Sequence, residues 1–308
     1  MIQGWRLVGP VGGVACRGGN VQVVGMAKEK PVAMVLGTQV YPLIQWYSGR
    51  GTTLDANLGE AMGWIAGAGL TAVEGSLDSE EGIGRFAEAA KAAGLTVGSM
   101  YANVRLHDED WRERGEAAVA LAVVARKVAS SRVLTVNPEP IRWGGPEDKD
   151  DALLRRQAGA MRWLHDTLKI KGIALAYHTH DPEMRQGARE FHHMMVATMD
   201  KPMGWCLDTQ WIYRGCGNSN VAVDDAVRLY GDRIKVVHLR QSRGGVWSET
   251  FGDGDVEHWP WVKQLKAMAF TGPVYLEQAA EAGTETALSM PERLKASTEA
   301  LKKVLGMA

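Results

Sequence analysis

The chain is poor in cysteine and phenylalanine, and it has no long apolar run. Its 308 residues include three widely spaced cysteines, an odd number that argues against a disulfide framework and favours a reducing compartment. We therefore expect a cytoplasmic protein. No apolar run approaches the roughly 20 residues of a membrane helix, so we expect no membrane partner. The formal net charge of −1 offers no basic surface for nucleic acid.

The chain divides by pattern into a short leader and one long domain. Glycine and proline interrupt every hydrophobic stretch of residues 1–31, and we predict an N-terminal extension whose structure the sequence leaves open. From residue 32 to residue 308, short β-branched runs alternate with longer segments of helical period, which is typical of βα units. The predicted strands are Val32–Val40, Thr71–Glu74, Thr96–Tyr101, Arg132–Glu139, Ile173–His180, Met203–Asp208, Ile234–Leu239 and Pro273–Gln278.

A helix is predicted after each strand. The predicted helices centre on Leu54–Ala68, Ser79–Ala93, Asp108–Val128, Asp151–Leu168, Ala188–Met199, Val221–Tyr230, Trp259–Met268 and Pro291–Leu305. Eight strand–helix pairs predict a (β/α)8 TIM barrel, for which about 250 residues plus insertions is a normal length. An open doubly wound sheet is the alternative, but its glycine-rich phosphate loop is missing after the first strand. We therefore predict one catalytic barrel domain over residues 32–308.

Four predicted strands carry a metal-binding side chain at or near their carboxyl ends. The fourth ends on Glu139 and the sixth on Asp208, while His238 and Glu277 lie near the ends of the seventh and eighth. A buried carboxylate is costly unless it is paired or bound to a metal. In a barrel these strand ends meet at one face, where active sites lie. The pattern predicts that the four side chains bind one divalent cation, for which Mn²⁺ suits the donors best, with Mg²⁺ or Co²⁺ as alternatives.

Six motifs resemble those of a known family. They are NPEP at 137–140, YHTHDPE at 177–183, WCLDT at 205–209, VVHLR at 236–240, GDGDV at 252–256 and YLEQ at 275–278. Together they resemble the xylose isomerase-like TIM-barrel superfamily, and within it the sugar phosphate isomerase/epimerase branch with its ketose 3-epimerases and inosose dehydratases. The resemblance implies a metal held by Glu139, Asp208, His238 and Glu277. It also implies that Glu139 and Glu277 act as the acid/base pair.

Further residues are candidates for contact with a substrate. His178 and His180 lie two apart and so point to one side of the fifth strand, where His180 is a candidate for proton transfer. Arg240 shares its face with His238, and Glu74 closes the second strand, where it either binds substrate hydroxyls or orients a neighbour. Helix capping, loop packing and ordinary ion pairing are the alternatives for these residues.

The tryptophans and one departure from the family bear on the substrate. Eleven tryptophans against four phenylalanines is unusual, and Trp46 is among those expected in loops. Such rings either fill the core or form an apolar wall for a sugar ring. Trp211 stands three residues after Asp208, where the epimerases and the repair endonucleases of the superfamily carry histidine. The chain also lacks the pattern of extra histidine ligands that the endonucleases need, which together with the lack of a basic surface argues against a nuclease. The indole in place of a substrate-binding histidine argues against a simple transfer of ketose epimerase activity.

The leading hypothesis is a metal-dependent sugar isomerase or epimerase that removes a proton α to a carbonyl. The expected partner is a small sugar, keto-sugar or cyclitol, and the sequence leaves open whether the chain forms a homo-oligomer. One alternative is a lyase or dehydratase of the same family, acting on an inosose or a 3-keto-glycoside. A non-catalytic sugar-binding barrel is a further alternative, although it would have no reason to retain three buried acids.

Overall fold

Eight parallel strands close into a barrel in the computed structural model, which describes residues 34–307. Around the barrel the order is β1-β10-β7-β6-β5-β4-β3-β2, so each strand pairs with its neighbours in the repeat and β1 closes on β10. The barrel strands are β1 Val35–Gln39, β2 Ala72–Ser76, β3 Thr96–Asn103, β4 Val133–Asn137, β5 Ala174–Tyr177, β6 Gly204–Asp208, β7 Ile234–Leu239 and β10 Pro273–Leu276. The predicted (β/α)8 barrel is confirmed.

Helices follow the strands on the outside of the barrel. They are α1 Tyr41–Ser48, α2 Leu58–Gly67, α3 Glu80–Ala92, α4 Trp111–Ala129, α5 Asp151–Ile170, α6 Asp181–Ala197, α7 Thr209–Gly215, α8 Asn220–Tyr230, α9 Trp259–Ala267 and α10 Met290–Val304. Side-chain oxygens cap several of these helices, because Ser79, Asp150, Asp208 and Ser219 each accept a first-turn backbone N–H. None of the helices in the described residues is both long and apolar enough to cross a membrane.

Tyr275 fills the lower part of the barrel interior. It is fully buried with Ala72, Ala176, Cys206 and Val236, which belong to four other strands. Its ring needs glycine on two other strands, β1 and β3: a methyl group at Gly37 would collide with the ring, and one at Gly98 would collide with its hydroxyl. The interior is therefore packed at this level, and the site must lie above it.

Several elements differ from the prediction. The short helices α1 and α7 were not expected, nor was the small hairpin of β8 Ser242–Arg243 and β9 Val246–Trp247. Helix α6 begins earlier than predicted, and its helical geometry is interrupted at residues 185–188, where three consecutive residues have left-handed backbone conformations. The predicted N-terminal extension lies outside the described residues, as do the first two residues of the predicted strand Val32–Val40.

Candidate active site

Four buried side chains converge at the carboxyl-terminal mouth of the barrel. They are His178, Asp208, His238 and Glu277, and one donor atom of each lies within 4.8 Å of the donors of the others. Their elements explain the convergence, since Asp208 and His238 occupy facing positions of β6 and β7, and the other two follow the last residues of β5 and β10. Three of the four predicted ligands are thus brought together, and His178 is the fourth member.

The group fits a divalent cation because its donor atoms lack hydrogen-bond partners. Asp208 Oδ2, Glu277 Oε2 and both ring nitrogens of each histidine are buried without a hydrogen bond in the described residues. The contacts among them are short but poorly aligned: His178 Nε2 lies 3.5 Å from Asp208 Oδ2, and His238 Nδ1 lies 3.2 Å from Glu277 Oε2. Native proteins seldom leave so many buried polar atoms unsatisfied. Two imidazoles and two carboxylates form a donor set that Mn²⁺, Co²⁺ or Zn²⁺ accepts.

Glu74 lies beneath His238 in a fully buried network. Its Oε1 accepts hydrogen bonds from Ser99 Oγ at 2.6 Å and Thr135 Oγ1 at 2.7 Å. Its Oε2 lies 2.7 Å from His238 Nε2, although the ring N–H is not well aligned with it. The structure therefore directs this carboxylate at protein groups, and the predicted contact of Glu74 with substrate hydroxyls gains no support. The alternative expectation, that Glu74 orients a neighbour, agrees with the geometry.

Arg240 holds Glu277 in place. Its Nη2 lies 2.8 Å from Glu277 Oε1, and its Nε donates to the Glu277 backbone oxygen at 2.8 Å. Burial alone would raise the pKa of Glu277, but the charges of Arg240 and His238 outweigh it and lower the pKa below the usual range. Glu277 is therefore ionised at neutral pH. The predicted position of Arg240 on the face of His238 agrees with this pairing, and its Nη1 remains buried without a partner.

The other titratable groups of the site are also perturbed. Burial, helped by the charge of Glu277, raises the pKa of Asp208. Burial, followed by the neighbouring His238, lowers the pKa of His178 to about 3, and burial together with His178 lowers the pKa of His180. Both histidines are therefore neutral at pH 7, which is the form that binds a metal or accepts a proton. Clustered perturbations of this kind are typical of active sites.

An aromatic wall surrounds His180 at the mouth. The His180 ring lies 4.9 Å from Trp143 and 5.0 Å from Trp211, measured between ring centroids, and Trp211 lies 5.4 Å from Trp247. The Arg240 guanidinium stands 3.9 Å from the centre of the Trp247 ring. We call Trp143, Trp211 and Trp247 the mouth tryptophans. Their rings, beside a buried polar group, suit a ligand with one apolar face and several hydroxyls.

Glu139 does not join the group of four donors. The strand β4 ends at Asn137, two residues earlier than predicted, and Glu139 then adopts a φ of 55°. Its backbone N–H donates to Asn137 Oδ1 at 2.9 Å, which holds this turn. The side-chain alternation of a strand therefore does not extend to residue 139. Its carboxylate adds to the Asp108 carboxylate in raising the pKa of Arg105, a group outside the four donors.

Trp46 also lies apart from the mouth tryptophans. The guanidinium of Arg50 stacks 3.2 Å from its ring centre, that of Arg293 lies 5.2 Å away, and Trp64 packs against its edge. These contacts occupy the ring with cations and with a neighbouring helix. The predicted substrate contact of Trp46 remains a prediction, whereas the packing alternative describes what the structure shows.

The structure adds to the role that the sequence predicts for one residue and brings in others that the sequence does not indicate. The substrate contact of His178 stays a prediction, and its nitrogens also lie in the group of four donors. Its position directly after the last residue of β5 is the signal that the sequence offers. Ser99 and Thr135 were not expected, because a hydroxyl in a strand carries no sign of the acid that it will bond. Trp143 and Trp247 are not among the residues that the sequence predicts to contact substrate.

The fold and the site together define a class: a barrel enzyme scaffold with a buried cluster of histidines and carboxylates at the mouth. The model of the family described as xylose isomerase-like TIM barrel matches residues 62–304. The chain belongs to this family. No curated protein sequence matches it.

Solved structures of sugar epimerases share this fold. A D-allulose 3-epimerase from Methylomonas sp. is 17% identical with a TM-score of 0.68, the match covering 89% of this chain and 99% of that one. An L-ribulose 3-epimerase is 16% identical with a TM-score of 0.66, covering 82% and 90%. A 3-keto-D-glucoside 4-epimerase from E. coli is 16% identical with a TM-score of 0.65, covering 88% and 99%. At such identities the likeness is one of fold.

Proposed function

We propose that this protein is a divalent-metal-dependent isomerase or epimerase of a small sugar, keto-sugar or cyclitol. The observation that carries the proposal is the convergence of His178, Asp208, His238 and Glu277, whose donor atoms are buried together without hydrogen-bond partners. Epimerases of ketoses and of a keto-glucoside share the fold. In this proposal His178 takes the place in the metal site that the sequence had assigned to Glu139.

The four side chains would hold the ion, and one of them, Glu277, would also handle the proton. A bound divalent cation supplies positive charge beside a substrate carbonyl, which makes the neighbouring C–H more acidic. Glu277 is ionised and held by Arg240, so it is the favoured base for that proton. The neutral imidazole of His180 stands at the opening and is a second group able to accept and return a proton.

Glu139 remains a candidate for this second proton-transfer role. It lies at the end of β4 on the mouth side and is half-buried, so a substrate can reach it. An epimerase needs two such groups on opposite sides of one carbon, because the proton leaves one face and returns to the other. Comparison of His180→Asn with Glu139→Gln would show which of the two residues returns the proton. The variant that lacks the proton-returning residue should form no epimer, while proton abstraction by Glu277 should still be measurable as exchange of the substrate α-proton with solvent.

The mouth tryptophans support a ring-shaped substrate. Aromatic faces pack on the C–H face of a pyranose or cyclitol, while its hydroxyls reach the buried polar group. Arg240 Nη1 is buried without a partner near these rings and is available to donate to a hydroxyl or carbonyl oxygen. Trp211, which stands where related enzymes carry histidine, would contact the substrate as part of this wall.

The lyase alternative has one observation in its favour. His180 is enclosed by Trp143 and Trp211, so an imidazole lies against the surface on which a ring substituent would rest. A group in this position could assist the departure of an oxygen from the carbon next to the abstracted proton. The same proton abstraction would then lead to loss of water or of an alcohol.

One experiment separates these functions. The purified protein, loaded with Mn²⁺ or Co²⁺, is incubated in D₂O with a panel of ketoses, inososes and 3-keto-glycosides, and the products are examined by NMR. Deuterium at the α-carbon with the carbon skeleton and substituents intact supports the isomerase or epimerase. Loss of water or aglycone supports the lyase instead. Absence of both reactions in metal-loaded, folded protein would contradict catalysis and leave the binding-only barrel.

The panel needs a matched pair of variants. Asp208→Asn removes one proposed ligand and should abolish exchange. Asp166→Asn changes an exposed aspartate that pairs with Lys201 on the outside of the barrel, and it should leave exchange unchanged. Equal activity of the two variants would contradict the assignment of the site.

A further inference from the structure

A thiol lies directly beneath the four donors. Cys206 precedes Asp208 by two residues on β6, so both side chains point into the barrel, with the cysteine one layer deeper. It is completely buried. Its Sγ and one donor nitrogen from each of His178 and His238 all lie within 4.8 Å of one another, and this second group of potential metal ligands shares both histidines with the first.

The two imidazoles beside this thiol distinguish it from a cysteine that only fills space. Its neighbours within the packed layer are Ala72, Ala176, Val236 and Tyr275, and none of these belongs to a candidate metal-binding group of the described residues. The two imidazoles above it are nine-tenths or more buried, and their nitrogens have no hydrogen-bond partner in the described part of the chain.

Donor chemistry distinguishes this lower group from the upper one. The upper group contributes two carboxylates and suits Mn²⁺ or Co²⁺, whereas two imidazoles with one thiolate form a softer set, which favours Zn²⁺ and Co²⁺ over Mn²⁺ and Mg²⁺. Three donors within 4.8 Å are compatible with metal–nitrogen and metal–sulfur bonds of about 2.0 and 2.3 Å.

We propose that Cys206 Sγ is a metal ligand, which with His178 and His238 selects a thiophilic divalent cation for this barrel. The thiol proton is released to solvent as the metal–sulfur bond forms, and no oxidant or reductant is involved. The inference rests on the proposed function because it shares two histidines with the proposed metal site. It goes beyond that function by assigning a sulfur ligand and a metal preference that carboxylate chemistry alone would not give.

The test uses the full-length protein, stripped of metal with a chelator and titrated with Co²⁺. Cobalt bound to a thiolate gives a sulfur-to-metal charge-transfer absorption in the near ultraviolet, and cobalt bound to nitrogen and oxygen gives visible d–d bands. We expect both in the wild type. In Cys206→Ser the charge-transfer absorption should disappear while the visible bands remain, because the upper four ligands are intact.

A matched control and a second variant complete the design. Cys216→Ser changes the half-buried cysteine that follows α7, and it should keep the charge-transfer absorption. Cys206→Ala removes the same sulfur without placing a hydroxyl in the apolar layer, which matters if serine impairs folding there. Circular dichroism reports the fold of each variant. Zn²⁺ affinity should fall at least about tenfold in the Cys206 variants, since even the loss of an outer partner costs that much, with little change for Mn²⁺.

The outcomes separate this inference from the proposed function. Visible cobalt bands without charge-transfer absorption in the wild type would overturn the sulfur ligand and leave the metal site standing. Charge-transfer absorption that survives in Cys206→Ser and Cys206→Ala would also overturn it. A folded wild type that binds neither Co²⁺ nor Mn²⁺ would overturn both the inference and the proposed metal dependence.

Discussion

The contact between Glu74 and His238 shows how one buried acid can control a neighbour. Glu74 Oε2 lies 2.7 Å from His238 Nε2, and Ser99 and Thr135 hold the other carboxylate oxygen. A carboxylate at one ring nitrogen keeps the proton there and leaves the other nitrogen free to bind a metal. In this arrangement Nδ1 of His238, which faces Glu277, is the nitrogen available to an ion.

Replacement of Glu74 by glutamine should therefore weaken metal binding without contact between residue 74 and the ion. We expect Mn²⁺ affinity to fall about 10- to 100-fold, the usual cost of losing an outer partner of a ligand histidine. Isothermal titration calorimetry measures it. Glu60→Gln is the control, because Glu60 also accepts a side-chain hydrogen bond, from Tyr47 at 2.8 Å, but lies on α2. Unchanged affinity in a folded Glu74→Gln protein would reduce Glu74 to a packing role.

A second residue-scale prediction concerns Asp208. Its burial raises the pKa of the carboxyl, so the buried acid lowers the free energy of unfolding of the metal-free protein. Asp208→Asn keeps the side-chain oxygen that accepts the Trp211 N–H at 2.9 Å and removes the charge. We expect the metal-free variant to be at least as stable as the metal-free wild type in urea unfolding. A variant clearly less stable would show that the carboxylate serves the fold and not an ion.

At the scale of elements, the left-handed break in α6 makes a prediction that a single substitution can test. Gln186, Gly187 and Ala188 have φ values of 54°, 70° and 57°, all left-handed. A methyl group at Gly187 would meet nothing within 4 Å, so only the backbone opposes a side chain there. Gly187→Ala should lower the free energy of unfolding by about 1–2 kcal/mol.

Gly159→Ala is the matched control for that substitution. Gly159 lies in the interior of α5, is exposed, and also has open space around its Cβ position. The same change there should raise the free energy of unfolding by about 0.5–1 kcal/mol, because alanine favours a helix. Urea unfolding of both variants measures the pair. Effects of the same sign at both positions would contradict the left-handed geometry of residue 187.

Strands were the elements that the sequence predicted best. The apolar runs of β6 and β7 were located within one residue, because parallel barrel strands are buried on both faces and leave a continuous signal. The short helix α1 was missed, since its N-cap residue, Val40, makes no side-chain cap. The hairpin of β8 and β9 turns at Gly244-Gly245, both with positive φ, and this pair was a usable signal of a two-residue turn.

The sequence predicts the direction of a site residue only when that residue lies within a strand. Asp208 and His238 lie within strands, and the period of two placed them correctly in the barrel. Glu139 follows β4 beyond a left-handed turn, where alternation no longer gives a direction. The choice between Glu139 and His178 as the fourth donor depends on that turn, which is set by a side-chain contact with Asn137 and not by any periodic pattern.

At the scale of the whole molecule, ion binding should stabilise the fold. A cation that binds only the folded chain adds about 3 kcal/mol at a free concentration near 100 times its Kd. We expect Mn²⁺ to raise the free energy of unfolding of the wild type and of Asp166→Asn by that amount, and that of Asp208→Asn far less. Urea unfolding with and without Mn²⁺ measures this. Equal gains in all three proteins would indicate binding elsewhere.

Stability should also depend on pH through Glu183. Burial first, and then the charge of Glu190, raise the pKa of this carboxyl above its ordinary value of 4.5, so the folded chain holds the proton more tightly than the unfolded chain. The stability contributed by the protonated group is complete below about pH 4.5 and is lost as pH rises through the folded pKa. Glu183→Gln should remove this decline between pH 4.5 and neutrality, measured by thermal unfolding across that range.

An acid of opposite behaviour provides the comparison. Hydrogen bonds from Ser289 lower the pKa of Glu292 at the start of α10, so its contribution is present above the unfolded pKa and is lost as pH falls. Glu292→Gln should therefore weaken the protein at neutral pH and leave the decline due to Glu183 in place. Identical pH profiles of the Glu183 variant and the wild type would contradict the raised pKa.

Tyr275 closes the barrel below the site, and this closure limits how a small molecule can reach the site. Because its ring and hydroxyl press against Gly37 and Gly98, the packed layer leaves the mouth as the approach to the buried donors. In the proposed reaction, substrate would enter and product would leave through this same mouth, past the three mouth tryptophans. If the reaction is reversible and its two sugars are similar, both compounds would bind at the same opening. Accumulating product should therefore slow turnover by simple competition with incoming substrate.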